Sequence, residues 1–551
     1  MNKQFFISLL LLTILAFLPT TSKAQTDSPS TPIRVWIGWD LPREFEMMMS
    51  PLLATSDYQR TFDQESADLR LTSGVTNSAI SSYWLYVPVV AFASTAETIQ
   101  YDDIQRYWQG DSYALNALSG VDQPMSLLVT DETLSALQQI LGQPSQNAPY
   151  LRVTNDQLVA QLWEQRPTAW TIVPFHQLTP EMKVLKLDGI DIFSPEFEVN
   201  AYPLQLTVGF TGDDVAIGRA IEDLRQAGTW RGSNRNSEQL TRVVLSGVTA
   251  LTRTTADVIV NSGNVLLPSE GIIDFVQDAD IFHTSNEVSF SEQCPRPQTP
   301  NVGTTSFCAY PEFIELFTHL GINVIELTGN HLNDRGPAAF RQTLDLYDEV
   351  GISYYGGGRD LESSRQPLIL ESNGNTIAFL GCNYYDANQG YLGPLASDER
   401  AGASPCDMTY IEQELRRLST EVDVVIMTIQ DYENYRYDAL PSQKERMAQF
   451  IAWGADVVIG SQAHQPHGFE FVAREGQPVG FVHHGLGNLF FDQMAQIGTR
   501  QMFIDKVIIH EGRVISVELY TGLIENYCCP RPMTEAERVD FLRTIFEANG
   551  W

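Results

Sequence analysis

Residues 325–336 read Ile-Glu-Leu-Thr-Gly-Asn-His-Leu-Asn-Asp-Arg-Gly, a short apolar run that ends in Asn330-His331 ahead of a helix-compatible segment. In α/β proteins chemistry collects at the carboxyl ends of strands. Asn330 offers a neutral oxygen ligand, and His331 an imidazole that can hold a metal or move a proton near neutral pH. A plain strand-to-helix turn can also contain an Asn-His pair. Two further apolar runs end in polar groups, however: Gly-Ser-Gln-Ala-His at 460–464 and His-His-Gly-Leu-Gly-Asn-Leu-Phe-Phe-Asp-Gln at 483–493. Continuous apolar runs at 243–245, 424–428 and 457–460, and one leading through Ile281 into 283–287, suit strands covered on both faces.

In that order, these stretches resemble the CapA family of capsule and poly-γ-glutamate synthesis proteins. The family reads Gly-Asp, Asn-Leu-Glu, Asn-Asn-His-Ala-Leu-Asp-Tyr-Gly, His-Trp-Gly-x-Glu-Tyr, His-Pro-His and Ser-Leu-Gly-Asn-Phe-Val-Phe-Asp-Gln. The resemblance covers residues 241–527. It implies a four-layer α/β/β/α sandwich of the calcineurin-type metallophosphoesterase kind, with two metals at the strand ends that activate a water. Carried over by position, Glu287, Asn330, His331, Glu433 and His464 are expected ligands for divalent Mn, Zn or Fe. His331 doubles as the expected catalytic acid, with Asp334 as its orienting partner.

The departures bear directly on that site. Gly247-Val248 stands where the family has Gly-Asp, Ser285-Asn286-Glu287 where it has Asn-Leu-Glu, and Ile429 where it has the first histidine of His-Trp-Gly-x-Glu. Gln462 replaces the first histidine of His-Pro-His. An amide is a poor ligand for Mn, Zn or Fe beside imidazole and carboxylate, so one metal or none is expected. His283 shares a strand face with Ser285 and Glu287 by period two, and reads either as a substitute ligand or as a hydrogen-bonded structural histidine. His467, His483 and His484 read as structural; Asn488 and Asp492 read as holding the strand-end loop.

The first half has another character. Apolar runs at 33–40, 85–95, 127–131 and 170–174 frame a helical segment at 99–110. This layout resembles the solute-binding proteins of ABC importers, particularly the phosphate-binding type, over residues 33–220. Ser94-Thr95 ahead of a helix with Asp102-Asp103 in its first turn reads as an anion site or as simple helix capping. The expected organisation is α/β throughout: an export signal at 1–24, a periplasmic-binding-protein-like domain at 33–225, a Gly/Ser/Asn-rich linker at 226–238, and the capsule-type domain at 239–551.

Residues 1–24 carry a lysine, an apolar stretch of about 14 residues and a Ser-Lys-Ala cleavage site, too short to span a bilayer and suited to a secreted or extracytoplasmic chain. The net charge of −33 disfavours nucleic acid and anionic lipid as partners. A cell-surface polymer or a small anionic ligand remains. Six cysteines in an exported chain point to disulfides, with Cys294–Cys308 and Cys382–Cys406 as pairs and Cys528-Cys529 either bridged or free. Three functions stay open: a metal-dependent hydrolase or transferase of a surface polymer, a catalytically inactive binding or scaffold module using the same cleft, and an anion-binding protein led by the first domain.

Overall fold

The structure, a computed structural model, describes residues 31–75, 80–121, 123–295 and 306–551. The expected export signal at 1–24 lies outside the described residues.

Every residue of the strand Val424–Gln430 is buried, and alternation sends its side chains into two different cores. Val424 and Ile426 meet Val243, Leu245 and Phe503, which belong to another sheet. Val425, Met427 and Ile429 pack instead with Leu415 and Leu418 of the helix Met408–Glu421 and with Met447, Phe450 and Ile451 of the helix Pro441–Trp453. A third core covers the far face of the other sheet: Val244 and Phe282 pack against Ile259, Phe317 and Phe340 from the helices Arg253–Ser262, Ile314–Leu320 and Pro337–Val350. The layers therefore run helix, sheet, sheet, helix, the expected four-layer α/β/β/α sandwich.

In one sheet the strands Leu240–Thr249, Ile281–Asn286, Val324–Glu326 and Ser353–Tyr355 run parallel, and Gln501–His510 continues the other edge antiparallel. In the second, Asn375–Asn383, Val424–Gln430, Val457–Ser461 and Gln477–His483 run parallel. Parallel strands align their carboxyl ends, so the segments after Asn286, Glu326, Asn383, Gln430 and Ser461 leave the sheets on one side.

Two compact units divide the chain differently from the expected boundaries. One gathers the described part of Met1–Gly38 with Arg43–Leu71 and Phe210–Trp230; the other joins Trp39–Pro42 and Thr72–Gly209 to Arg231–Trp551. In the first, the strand Ile33–Ile37 lies parallel between Tyr58–Arg60 and Leu69–Ser73. In the second, residues 72–209 share packing with the sandwich. Phe92 belongs to the inter-sheet core, Arg538 donates to Glu97 and the Thr95 carbonyl, and Arg513 donates to the Leu178 and His176 carbonyls. Residues 226–238, expected as a linker, finish the helix Asp214–Ala227 and then run to a buried Asn234, which exchanges two hydrogen bonds with the Leu85 backbone. They are tied down rather than free.

The anion-site reading of Ser94-Thr95 needs correction. The helix Tyr101–Trp108 begins after Gln100, with no side-chain cap, and its first N–H donates to Asp188 Oδ1. A carboxylate of the chain already occupies that helix end. Ser94 Oγ instead accepts from the Ala96 amide.

Candidate functional site

The loops that follow Asn286 and Glu326 lie side by side, with Val288 and His331 paired across them. Gly329 permits this approach, because a Cβ there would sit 2.7 Å from Glu287 Cα. The result sets Glu287 against Asn330 and His331. Glu287 is buried, and neither of its carboxylate oxygens has a hydrogen-bond partner; Asn330 Oδ1 is likewise buried and unpartnered. A buried carboxylate without a partner is costly, and the chain itself supplies no donor to these oxygens.

His331 is oriented as expected. Its Nδ1 lies 2.8 Å from Asp334 Oδ2, and the same oxygen accepts from the Phe307 amide. The Phe307 ring covers the imidazole at 4.2 Å between centroids, and the neighbouring Cys308 is bonded to Cys294. Burial works against the imidazolium, but the Asp334 hydrogen bond and the charges of Glu287, Asp334 and Asp386 outweigh it and raise the His331 pKa. With Nδ1–H given to the carboxylate, Nε2 is the atom left to meet a substrate or a cation.

Asp386 was not foreseen from the sequence. It is buried, held by Asn383 through two hydrogen bonds, and Asn383 also donates to the Thr328 carbonyl. Burial raises the Asp386 carboxyl pKa, with the Glu287 charge adding to it and Asn383 and His331 opposing. The Cys382–Cys406 bridge sits one residue before Asn383. Two disulfides therefore brace the site, and a third joins the adjacent Cys528 and Cys529.

Glu433 and His464 stand together, with His464 Nε2 3.6 Å from Glu433 Oε1. His464 Nδ1 bonds to Asn488 Oδ1 at 2.8 Å, while the Asn488 amide nitrogen donates to the His464 and Thr499 carbonyls. That network makes Asn488 an acceptor toward Nδ1 and leaves the lone pair on Nε2. The Tyr435 hydroxyl donates to Glu433 Oε2 at 3.4 Å, and burial, and then the charges of Glu433 and Glu287, push its pKa up. His464 and Gln462 both have left-handed backbone, at φ 55° and 77°, a conformation that non-glycine residues hold only where surrounding structure enforces it.

The replaced ligand positions are filled by uncharged groups, and Gln430 Oε1 among them is buried without a hydrogen-bond partner. Val248 is buried, and its amide bonds to the Gly487 carbonyl. Ile429, expected at the lost histidine position, points into the helix-covered core. By alternation Gln430 takes the site-facing side, where its amide donates to Gln462 Oε1. Among the described residues no three His, Cys, Asp or Glu side chains are gathered so as to hold a metal ion. The donors present do not fit a two-metal centre; Glu287 and Asn330 fit one ion.

His283 does not join Glu287. Its Nε2 bonds to the Tyr355 hydroxyl at 2.9 Å and lies 3.8 Å from Glu326 in the inter-sheet core, where burial pushes its pKa down to about 3. His483 pairs with the buried Asp505, His467 Nε2 reaches the Asn434 carbonyl, and His484 lies 3.6 Å from Glu470. Asp492 forks onto Arg253, whose guanidinium is stacked between Phe307 and Phe491. Arg253 has φ 50°; only tertiary packing brings it there, and no sequence signal marked it.

The curated capsule biosynthesis protein CapA of Bacillus anthracis is 23% identical over 189 residues, 34% of this chain and 44% of that protein. The match therefore spans less than half the length of that relative. Among solved structures, an ABC-type phosphate transport receptor from Vibrio cholerae is 13% identical over 35% of this chain and 93% of its own, with a TM-score of 0.29. An NAD nucleotidase from Haemophilus influenzae is 9% identical over 56% of this chain and 62% of its own, with a TM-score of 0.32. At TM-scores this low neither likeness bears on how the chain works. The model of the family described as bacterial capsule synthesis protein PGA_cap matches residues 207–493, more than half of the chain, and the chain belongs to that family.

Proposed function

We propose that this chain is an exported protein of capsule synthesis that engages a surface polymer of the poly-γ-glutamate type at the strand-end cleft, with a site reduced to one metal at most. The observation that carries the reading is the Gln430–Gln462 amide pair. Two neutral amides bonded to each other stand where a second ion would need charged ligands. The disulfides suit an oxidising compartment, and no helix among the described residues is long and apolar enough to cross a membrane.

Chemistry at the remaining half runs through His331. The Asp334 hydrogen bond and the nearby carboxylate charges favour the protonated ring, so the imidazole can hand a proton to a departing group while Asp334 holds it. Glu287 and Asn330 would hold a divalent ion, which when bound supplies positive charge against a carbonyl or phosphoryl oxygen. Glu433 and His464 Nε2 line the opposite wall and orient what lies between.

A second reading, a binding or scaffold module, is favoured by one observation: no three charged or imidazole ligands are gathered among the described residues. Incubating the secreted chain with poly-γ-glutamate, with and without Mn²⁺, separates the two. Shortening of the polymer that His331→Ala abolishes supports processing. Retention of the polymer without shortening supports the scaffold. Neither retention nor shortening would contradict both.

A further inference from the structure

The two histidines of the strand-end site come from different sheets, His331 after the strand Val324–Glu326 and His464 after Val457–Ser461. Each imidazole lies against one phenylalanine. Phe307 covers His331 at 4.2 Å between ring centroids, and Phe491 covers His464 at 5.3 Å. The two phenylalanines meet edge to face at 6.4 Å, and one cation serves both. The Arg253 guanidinium carbon lies 4.9 Å from the Phe307 centroid and 4.6 Å from that of Phe491. His331, Phe307, Arg253, Phe491 and His464 thus form a continuous row from one half of the site to the other.

Arg253 itself is fixed from several sides. Its Nε donates to both Asp492 oxygens, at 3.0 and 3.2 Å, and Nη2 donates to Oδ1. The Asp492 side chain is 7% exposed, and its Oδ2 also accepts from the Thr254 amide, so the carboxylate is held in turn. Arg253 has left-handed backbone at φ 50°, as His464 does at φ 55°. Two residues without a turn residue's tolerance for that region keep it only where their surroundings determine it. A guanidinium suits the place, because its planar fork matches a carboxylate while its π-system lies against aromatic rings. Phe307 is anchored independently, through the bond of Cys308 to Cys294 and through its amide on Asp334 Oδ2.

We propose that Arg253 is a positioning residue for both halves of the site. It keeps Phe307 against His331 and Phe491 against His464, so that the two imidazoles hold one spacing across the cleft. It acts through the two rings, and Asp492 acts by holding Arg253. This role is the same whether the cleft processes a polymer or only retains one.

Histidine labelled with ¹³C at Cε1 gives nine imidazole signals in the full chain, and His331→Gln and His464→Gln identify the two of interest. In the metal-free protein Arg253→Met should displace both of those signals and leave those of His176, His319 and His510 in place. Arg253→Lys keeps the cation but cannot fork Asp492, so it should displace both signals in the same direction and by less; it carries the test if the methionine variant does not fold. Melting temperature and circular dichroism report folding. Thr255→Val controls for a merely structural role: it removes the hydrogen bond from the same helix to the Tyr527 carbonyl and should leave both signals unmoved. Displacement of only one signal, of neither, or of both by Thr255→Val as well, would overturn the proposal.

Discussion

The two halves of the strand-end site descend from the same family pattern and have been kept differently. One half holds Glu287 and Asn330 with unpartnered oxygens beside an oriented His331 and a second carboxylate, Asp386. The other holds Glu433 and His464 beside an amide pair, Gln430 and Gln462, joined by one hydrogen bond, with Gln430 Oε1 left buried and unpartnered. Loss of a ligand matters less than what replaces it. A replacement that keeps a charge leaves a site open to a cation, whereas two neutral amides bonded to each other bring no negative charge to hold one.

The largest effect should come from breaking the charged half. Glu287→Gln removes the buried carboxylate on which any cation there depends, so divalent affinity measured by calorimetry should fall more than about 100-fold. The metal-free protein should gain about 1–3 kcal/mol, because an unpaired buried charge has gone. A variant that binds as before would move the ion to the other half.

Asp334→Asn sharpens the role of His331. It keeps the shape and removes the charge that fixes the ring, so metal affinity or turnover should drop about 10- to 100-fold. The same variant tests pH dependence. The His331 pKa is raised in the folded chain, so the pair's stabilisation is complete below the ordinary histidine value of about 6.5 and fades as pH rises through the higher folded value. The stability gap between the parent and Asp334→Asn, from urea unfolding, should therefore narrow as pH rises above the ordinary histidine value of about 6.5. A gap that widens with pH would contradict the assignment. The smallest effect should be at Glu433, whose side chain is 49% exposed: Glu433→Gln should change stability by less than about 1 kcal/mol.

Much of this was legible because the motifs end strands, and parallel strands bring their ends to one side. Glu287, Asn330, His331 and Asp334 fall where their spacing puts them. Gln430 was harder, since a one-residue shift in register exchanges the two faces of a strand, and only the burial of Ile429 beneath the helices settles which residue faces the site. Asp386 belongs to no motif; it arrives through Asn383 and a loop pinned by a disulfide. The division of the first half was hidden for a related reason. A polar, Gly-rich stretch reads as a linker, yet Asn234 spends its amide on a strand edge that lies 149 residues away in sequence.

Metal stoichiometry tests the central claim most directly. The purified chain, loaded with excess Mn²⁺ or Zn²⁺ and desalted, should carry one ion or none per chain by elemental analysis, and Gln430→His with Gln462→His should raise that number by one. Two ions in the unaltered chain would show that the amide pair does not close the second position, and would contradict the account.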